Sequence, residues 1–125
     1  MPATQVVFFR EENGKVPLID WLAALPSMAR AKCMVRLGRL EELGHELRRP
    51  EVEYLRDGIY EVRTKHASVN YRMLYFFHGR TAAIVSHGIT KQRAAVPLKE
   101  IEKAVQRKIA FDAHPQRHTF TPPED

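Results

Sequence analysis

Cysteine is nearly absent from this 125-residue sequence, and so are long apolar runs. The single cysteine, Cys33, cannot form an internal disulfide, which is typical of a protein that folds in a reducing compartment. No stretch approaches the roughly 18 apolar residues of a membrane span, and the first residues lack the features of a secretory signal. We therefore expect a cytoplasmic protein with no membrane association, in which Cys33 is a small core residue of a helix.

Several common catalytic and cofactor motifs are also missing. The sequence has neither a GxxxxGK(S/T) phosphate loop nor a GxGxxG dinucleotide loop, and it lacks the GxSxG elbow of many hydrolases. It also lacks the paired Cys and His residues of a typical zinc site. No pair of carboxylates stands near the basic strands in the way that glycosidase chemistry requires. Phosphate chemistry without a metal or cofactor is the reaction class that these absences leave open.

The residues that are present describe a basic globular protein. Hydrophobic residues make up 44% of the chain and charged residues 28%, values at which a chain of this length can bury one core. Twenty Lys and Arg residues against 15 Asp and Glu give a formal charge of +5 and a pI near 9.6. A pI above roughly 9 is expected of nucleic-acid-binding domains.

Hydrophobic periodicity and turn residues predict the order β-α-α-β-β-β-α. The first half contains a strand at 6–9, a helix that starts at Pro17 and stops before Pro26, and a helix from Ser27 to Gly44. Residues 45–57 are predicted as an irregular connection.

The second half contains three predicted strands and one helix. The strands are expected at 59–64, 70–77 and 81–86, with a loop at 65–69 and a tight turn at 78–80. Pro97 opens a helix whose apolar face we assign to Leu98, Ile101, Val105 and Ile109. Together these elements predict an α+β fold, with an antiparallel-rich sheet of about four strands and the helices on one face. We expect one domain over residues 1–111 and a flexible tail over 112–125.

Cations are concentrated in residues 58–95. Strand alternation places Arg63 and Arg72 on the same face of the sheet, opposite to the residues predicted to pack on the helices. If that face is open, the two guanidinium groups are expected to bind an anion, and phosphate matches their geometry. Salt bridges to Glu61 or Glu53 are the alternative. Four further cations on the second helix, at positions 30, 32, 36 and 39, are predicted to form a solvated face, with a ribosomal RNA contact as the second interpretation.

Three segments together resemble the RelE/ParE toxin superfamily, and specifically its HigB-like branch with phage-derived relatives. They are residues 55–63 (LRDGIYEVR), 71–75 (YRMLY) and 87–92 (HGITKQ), followed by Pro97 and residues 100–104 (EIEKA). The segments occur in the order and at the spacing of the family, and the preceding β-α-α arrangement agrees. Two positions depart from the pattern, because Gln92 stands where the family usually has a second lysine and Ile89 stands where it has a phenylalanine.

The resemblance implies a RelE-like fold and a ribosome-dependent mRNA endonuclease. In such enzymes the ribose 2′-OH attacks the adjacent phosphate while cations stabilise the added negative charge. The motif positions imply Arg72 as a phosphate clamp, Arg63 as a second cationic contact, and Lys91 in phosphate binding or proton transfer. His87 is either an acid/base or a structural histidine. Residues expected to contact RNA in a supporting role are Lys65, His66 and Arg93.

The resemblance also implies partners. These are a HigA-like antitoxin with a helix-turn-helix domain, whose complex with the toxin would bind operator DNA, together with the ribosome and its mRNA. Two alternatives stay open at this point, a ParE-like gyrase inhibitor and a non-catalytic module that binds RNA or protein. The cationic set of Arg63, Arg72 and Lys91 counts against the gyrase inhibitor.

Overall fold

The computed structural model describes residues 4–91 and 95–120, excluding the side chain of Lys91. Three α-helices are present in these ranges: α1 (Pro17–Ala23), α2 (Ser27–Leu43) and α3 (Leu98–Ala113). The strands are β1 (Gln5–Phe9), β2 (Val52–Arg56), β3 (Ile59–His66), β4 (Val69–His78), β5 (Ala82–Lys91) and β6 (Thr119–Phe120). Short 3-10 helices cover Gly44–Glu46 and Pro115–His118. None of the helices described has the length and apolarity to cross a membrane.

The strands form one mixed sheet in the order β2-β3-β4-β5-β1-β6. Only the β1–β5 pair is parallel, and the other four pairs are antiparallel. The α+β class and the antiparallel bias are therefore as predicted, but the sheet has six strands where about four were expected. One additional strand, β2, lies in the predicted connection over 45–57, and the other, β6, lies in the predicted tail.

One face of the sheet packs against α1 and α2. The buried side chains there include Leu18, Cys33 and Leu40 from the helices and Val62 and Met73 from the strands. Burial raises the pKa of the Cys33 thiol to about 11, which is consistent with the core role predicted for it.

Glycine at position 88 lets α1 approach this face closely. A Cβ atom at Gly88 would overlap the indole ring of Trp21, which lies directly against β5. The indole Nε1 donates a hydrogen bond to Thr90 Oγ1 at 3.1 Å. The glycine that follows His87 in the motif is thus explained by packing on the face opposite to the His87 side chain.

The other face of the sheet is covered by α3, which corrects the prediction that all helices lie on one side. The buried residues of α3 are Ile101, Ala104 and Phe111, and they pack on the opposite sides of β4 and β5. Leu98 and Ile109, which the periodicity assigned to the buried face, are 53% and 58% exposed. The small side chain of Ala104 at the contact lets the helix lie close to the sheet.

The β3–β4 hairpin ends in a two-residue turn, tighter than the loop predicted over 65–69. Ala67 and Ser68 both have positive φ angles, of 52° and 67°, while His66 and Val69 still pair. Positive φ at both central positions is the geometry of a type I′ turn, which favours Asn and Gly. Neither residue is present, so this turn carries backbone strain.

The chain continues as ordered structure beyond residue 111, where a flexible tail was expected. α3 extends to Ala113, and β6 pairs with β1 through Phe120 and Thr119. The His118 ring stacks on Phe9 at 4.8 Å between centroids, and its Nδ1 lies 2.8 Å from the Arg10 carbonyl. The prediction of a flexible tail from residue 112 is therefore wrong for residues 112–120. Residues 121–125 lie outside the described part of the chain.

Candidate functional site

A row of alternating charges crosses β2, β3 and β4 on the face of the sheet where α3 packs. Glu53 is the cross-strand neighbour of Glu61, and Arg63 is that of Arg72. An Arg63 nitrogen binds Glu53 at 2.5 Å, and Arg72 Nη1 binds both oxygens of Glu61 at 2.7 and 2.8 Å. Arg49 reaches the other oxygen of Glu53 at 2.7 Å. Strand alternation therefore correctly placed Arg63 and Arg72 side by side on one face.

The prediction that this face of the sheet is open to solvent is wrong at Arg72. Arg72 is only 4% exposed and its carboxylate partner Glu61 is 2% exposed. The salt-bridge alternative, to Glu61 and Glu53, describes these two arginines in the structure. The physical reason is that α3 covers part of this face, and a guanidinium enclosed by protein needs an acid close by.

Arg63 differs from Arg72 in being accessible. The side chains of Arg63 and Glu53 are each 32% exposed. The Arg63 Nε lies 3.7 Å from Glu61, and this buried atom makes no hydrogen bond within the described residues. Three arginines, including Arg49, share two carboxylates, so the row carries a formal excess of one positive charge.

His87 lies in a second polar group between β5 and α3. Its Nε2 is 2.9 Å from Glu100 Oε1 and its Nδ1 is 2.7 Å from Ser86 Oγ. Burial raises the pKa of the Glu100 carboxyl, but the hydrogen bond from His87 and the charge of Lys103 outweigh it and lower that pKa. Because Glu100 is ionised, we assign the ring proton to Nε2, so the Ser86 hydroxyl donates to Nδ1.

The protonation of His87 follows from the same surroundings. Burial, with the positive charge of Arg107 next, lowers the pKa of His87 to about 4. The ring is therefore neutral near pH 7, and it is 6% exposed with both nitrogens engaged. Of the two roles predicted for His87, these contacts favour the structural one, in which it ties β5 to Glu100 of α3.

The predicted supporting cations extend this region towards the β3–β4 turn. Lys65 is exposed and its neighbour across the strand is Asn70, whose neighbour on β5 is Lys91. His66 is partly buried beside the turn. The Lys91 side chain, and all of Arg93 and Gln92, lie outside the described residues.

The four cations of α2 have partners within the chain. Arg30 donates to the carbonyls of Leu22 and Leu25, at 2.9 and 3.0 Å, at the end of α1. Arg36 and Arg39 both bind Glu51 at 2.7 Å. Lys32 Nζ lies 3.4 Å from the Lys65 carbonyl. These contacts show how the cations of α2 are held within the protein, and the ribosomal RNA interpretation of this face stays a prediction.

Sequence reasoning missed Ser86, Glu100 and Arg107 as parts of the polar group around His87. Arg107 contacts the Ser86 carbonyl at 3.3 Å and binds Glu11 at 2.9 Å. A signal was available in the sequence, because Glu100 opens the 100–104 stretch that follows Pro97 in the family pattern, and it lies in the first turn of α3.

One metal-ligand spacing was overlooked, because His114 and His118 stand four residues apart. His118 is buried against Phe9. His114 and His118 follow the end of α3 and do not share a helix face. In the ranges that the structure describes, no three His, Cys, Asp or Glu side chains converge on a point.

Comparison with known proteins assigns the family. Residues 20–108, more than two thirds of the chain, match the family described as "Phage derived protein Gp49-like (DUF891)". A search of curated proteins found no match. The matched region includes the second half of α1, all of α2 and β2–β5, and most of α3. It therefore contains both polar groups described above, except for Glu11. The chain belongs to the phage-derived Gp49-like family, a RelE-like family of the toxin–antitoxin context.

Proposed function

We propose that this chain is the toxin of a type II toxin–antitoxin pair, of the HigB-like branch, and that it cleaves mRNA on the ribosome without a metal. The observation that supports the proposal most directly is the accessible Arg63 guanidinium, held on a rigid sheet beside a buried arginine. Family membership supports the toxin part of the proposal.

The Arg63–Glu53 pair is suited to exchange its carboxylate for a phosphate. Half-exposed ion pairs contribute at most about 1 kcal/mol to stability. A phosphate group can therefore replace Glu53 at low cost, and it matches the fork of the guanidinium equally well. The enclosed Arg72–Glu61 pair would stay in place, and Glu61, 3.7 Å from Arg63 Nε, would help to position the Arg63 side chain. We therefore reassign Arg72, expected as the clamp, to positioning, and Arg63 to direct contact.

The proposed reaction is transesterification. The ribose 2′-oxygen attacks the adjacent phosphorus, the bond from phosphorus to the 5′-oxygen breaks, and a 2′,3′-cyclic phosphate and a 5′-hydroxyl result. Arg63 and Lys65 would stabilise the negative charge of the pentacovalent state. Lys91 or the displaced Glu53 carboxylate would transfer the protons, since both ring nitrogens of His87 are engaged.

Induced expression in bacteria tests the function. We expect protein synthesis to stop and mapped mRNA 5′ ends to fall within translated codons. Purified protein is expected to cleave free RNA poorly, because the ribosome would supply the substrate geometry. A block of DNA replication with intact mRNA would indicate the gyrase inhibitor instead, and normal growth would indicate a non-catalytic module.

The proposed partner is a helix-turn-helix antitoxin that neutralises the toxin and binds operator DNA with it. Co-expression with the product of the neighbouring gene is expected to restore growth and to yield a co-purifying complex. Failure of every adjacent gene product to bind the chain would contradict this part of the proposal.

A further inference from the structure

A cluster of aromatic rings lies at the β2 edge of the sheet, on the face opposite to the charged row. Tyr54 of β2 is 55% exposed and meets the Tyr60 ring edge to face, at 5.0 Å between centroids. Tyr60 stacks on Tyr75 at 5.4 Å, and the exposed His45 ring lies nearly parallel to Phe77 at 3.7 Å. Aromatic surface is therefore presented to solvent from two sides of this edge.

A cleft of about 280 Å³ opens between these rings and the segment that precedes β2. We call it the ring cleft, and it is lined by His45, Leu47, Arg48, Arg49, Val52, Glu53, Tyr54 and Tyr60. Its volume is near the lower limit of small-ligand pockets, roughly 300–1,000 Å³. It is therefore large enough for one small planar group and too small for a folded segment of a partner protein.

Two arginines line the ring cleft. Arg49 is 74% exposed while it binds Glu53. Arg48 is exposed, and among the described residues its guanidinium makes no ion pair. One acid against two guanidinium groups leaves the lining cationic, so an anionic ligand is favoured.

The exposed Tyr54 ring is held in place before any ligand binds. Its hydroxyl accepts a hydrogen bond from the Gly58 N–H at 3.0 Å, across the tight turn between β2 and β3. A ring fixed in this way loses little conformational entropy on stacking, which favours binding.

The ring cleft is connected to the charged row through Glu53. One oxygen of this carboxylate binds Arg49 at the cleft, and the other binds Arg63 on the neighbouring strand β3. A ligand at the cleft would therefore lie one side chain away from the guanidinium proposed to contact the reacting phosphate.

We propose that the ring cleft binds one unpaired nucleotide of single-stranded RNA, with the base against Tyr54 and His45 and the phosphate at Arg48 and Arg49. Single-stranded RNA is recognised in this way, by stacking of splayed bases on aromatic rings beside cations. The inference rests on the proposed function, because the same RNA strand would continue around the β2 edge to Arg63.

Fluorescence anisotropy with a labelled 12-nucleotide single-stranded RNA tests the ring cleft in the purified full chain. We expect Tyr54→Leu to weaken binding by about 5- to 150-fold, because one stacked base is worth roughly 1–3 kcal/mol. Tyr54→Phe keeps the ring but loses the hydrogen bond from Gly58, so its affinity is expected to lie between those of the unmodified protein and Tyr54→Leu. Circular dichroism melting shows whether each variant is folded.

A matched pair of charge variants tests the phosphate contact. Arg48→Gln is expected to lower the slope of log affinity against log salt by roughly 0.7, the value for one phosphate contact on a single strand. Arg117→Gln removes the same charge near the opposite, β6, edge of the sheet, where Arg117 is 63% exposed, and is expected to leave that slope unchanged.

The outcomes separate this inference from the proposed function. The proposal that the ring cleft binds RNA would be overturned if Tyr54→Leu bound RNA as tightly as the unmodified chain, or if the chain bound no RNA at low salt. Either result would overturn it even if mRNA is cut in cells. Weaker antitoxin binding by Tyr54→Leu with unchanged RNA affinity would assign the cleft to a protein. Ring-dependent RNA binding without mRNA cleavage would support the cleft and overturn the endonuclease.

Discussion

Arg72 on β4 donates from a single nitrogen, Nη1, to both carboxylate oxygens of Glu61 on β3, at 2.7 and 2.8 Å. The two side chains are 5% and 2% exposed, so the pair is enclosed by protein. Each charge in such a pair is tolerated only while its partner is present. This relationship determines how variants of the candidate site can be interpreted.

Arg72→Ala is expected to lower the free energy of unfolding by about 3–5 kcal/mol, because Glu61 would stay buried with its hydrogen-bonded partner gone and, among the described residues, only Arg63 Nε nearby, at 3.7 Å. The double variant Arg72→Met/Glu61→Leu removes both charges and keeps apolar volume, so it should recover most of that loss. Urea denaturation measures both values. Equal destabilisation of the single and double variants would contradict this account. Loss of toxicity in Arg72→Ala alone is therefore no evidence of contact with RNA.

Arg63→Gln is the more informative test of activity. The half-exposed pair with Glu53 is expected to contribute at most about 1 kcal/mol to folding, so the variant should remain folded. Loss of one charge-stabilising group is expected to slow mRNA cleavage by about 10²–10³-fold. Arg117→Gln is the matched control in a ribosome-dependent cleavage assay. If Arg63→Gln cleaves mRNA at the rate of this control, Arg63 does not contact the reacting phosphate.

His87 predicts a component of acid sensitivity. The fold holds its pKa at about 4, below the ordinary value of about 6.5. Between these values the unfolded chain binds more protons, so the stability that His87 contributes is complete above about pH 6.5 and is lost as the pH falls towards about 4.

The His87→Gln variant isolates this component, because its amide can still donate to Glu100. We expect the fall in unfolding free energy from about pH 7 to about pH 5 to be smaller in the variant by roughly 1–2 kcal/mol. Urea denaturation at the two pH values measures it. The same pH dependence in both proteins would show that His87 does not titrate as described.

Alanine substitution is expected to change the stability of the protein in opposite directions at two glycines. Gly88→Ala places a methyl group in the Trp21 indole ring and is expected to cost about 1–3 kcal/mol. Gly38→Ala, in α2, meets no atom within 4 Å and is expected to add roughly 0.5–1 kcal/mol. Thermal melting compares them directly. A neutral Gly88→Ala variant would show that α1 is not held against β5.

The strained turn between β3 and β4 can be relieved. Ser68→Gly introduces a residue that adopts its φ of 67° without a steric cost, and we expect a gain of about 1 kcal/mol. Ser27→Gly, at the first position of α2, serves as a comparison where no positive φ is present. If Ser68→Gly is no more stable than the unmodified chain, the strain assigned to this turn is not there.

Local patterns predicted much of the fold. The starts of α1 and α2, the strands β3 and β4 and the shared face of Arg63 and Arg72 all follow from proline positions and strand alternation. The short strand β2 was missed because its alternation is weak and it depends on pairing with β3.

The surroundings of the site could not be predicted in the same way. Whether Arg72 faces solvent or Glu61 depends on where α3 crosses the sheet, which is a long-range property. The α3 stripe was predicted in part, because Ile101 is buried and Val105 is partly buried against the sheet as expected. Leu98 and Ile109 are exposed instead, and Ala104 and Phe111 complete the contact.

The pairing of β6 with β1 brings the first and the last of the described strands together at one edge of the sheet. Thr119 lies beside Phe9 and Phe120 beside Phe8, so the chain runs back along β1 towards Gln5. A short linker between Phe120 and Gln5 could therefore close these described residues into a circle, with new ends cut at the exposed Gly79–Arg80 turn, and the strand pairs described above would be kept.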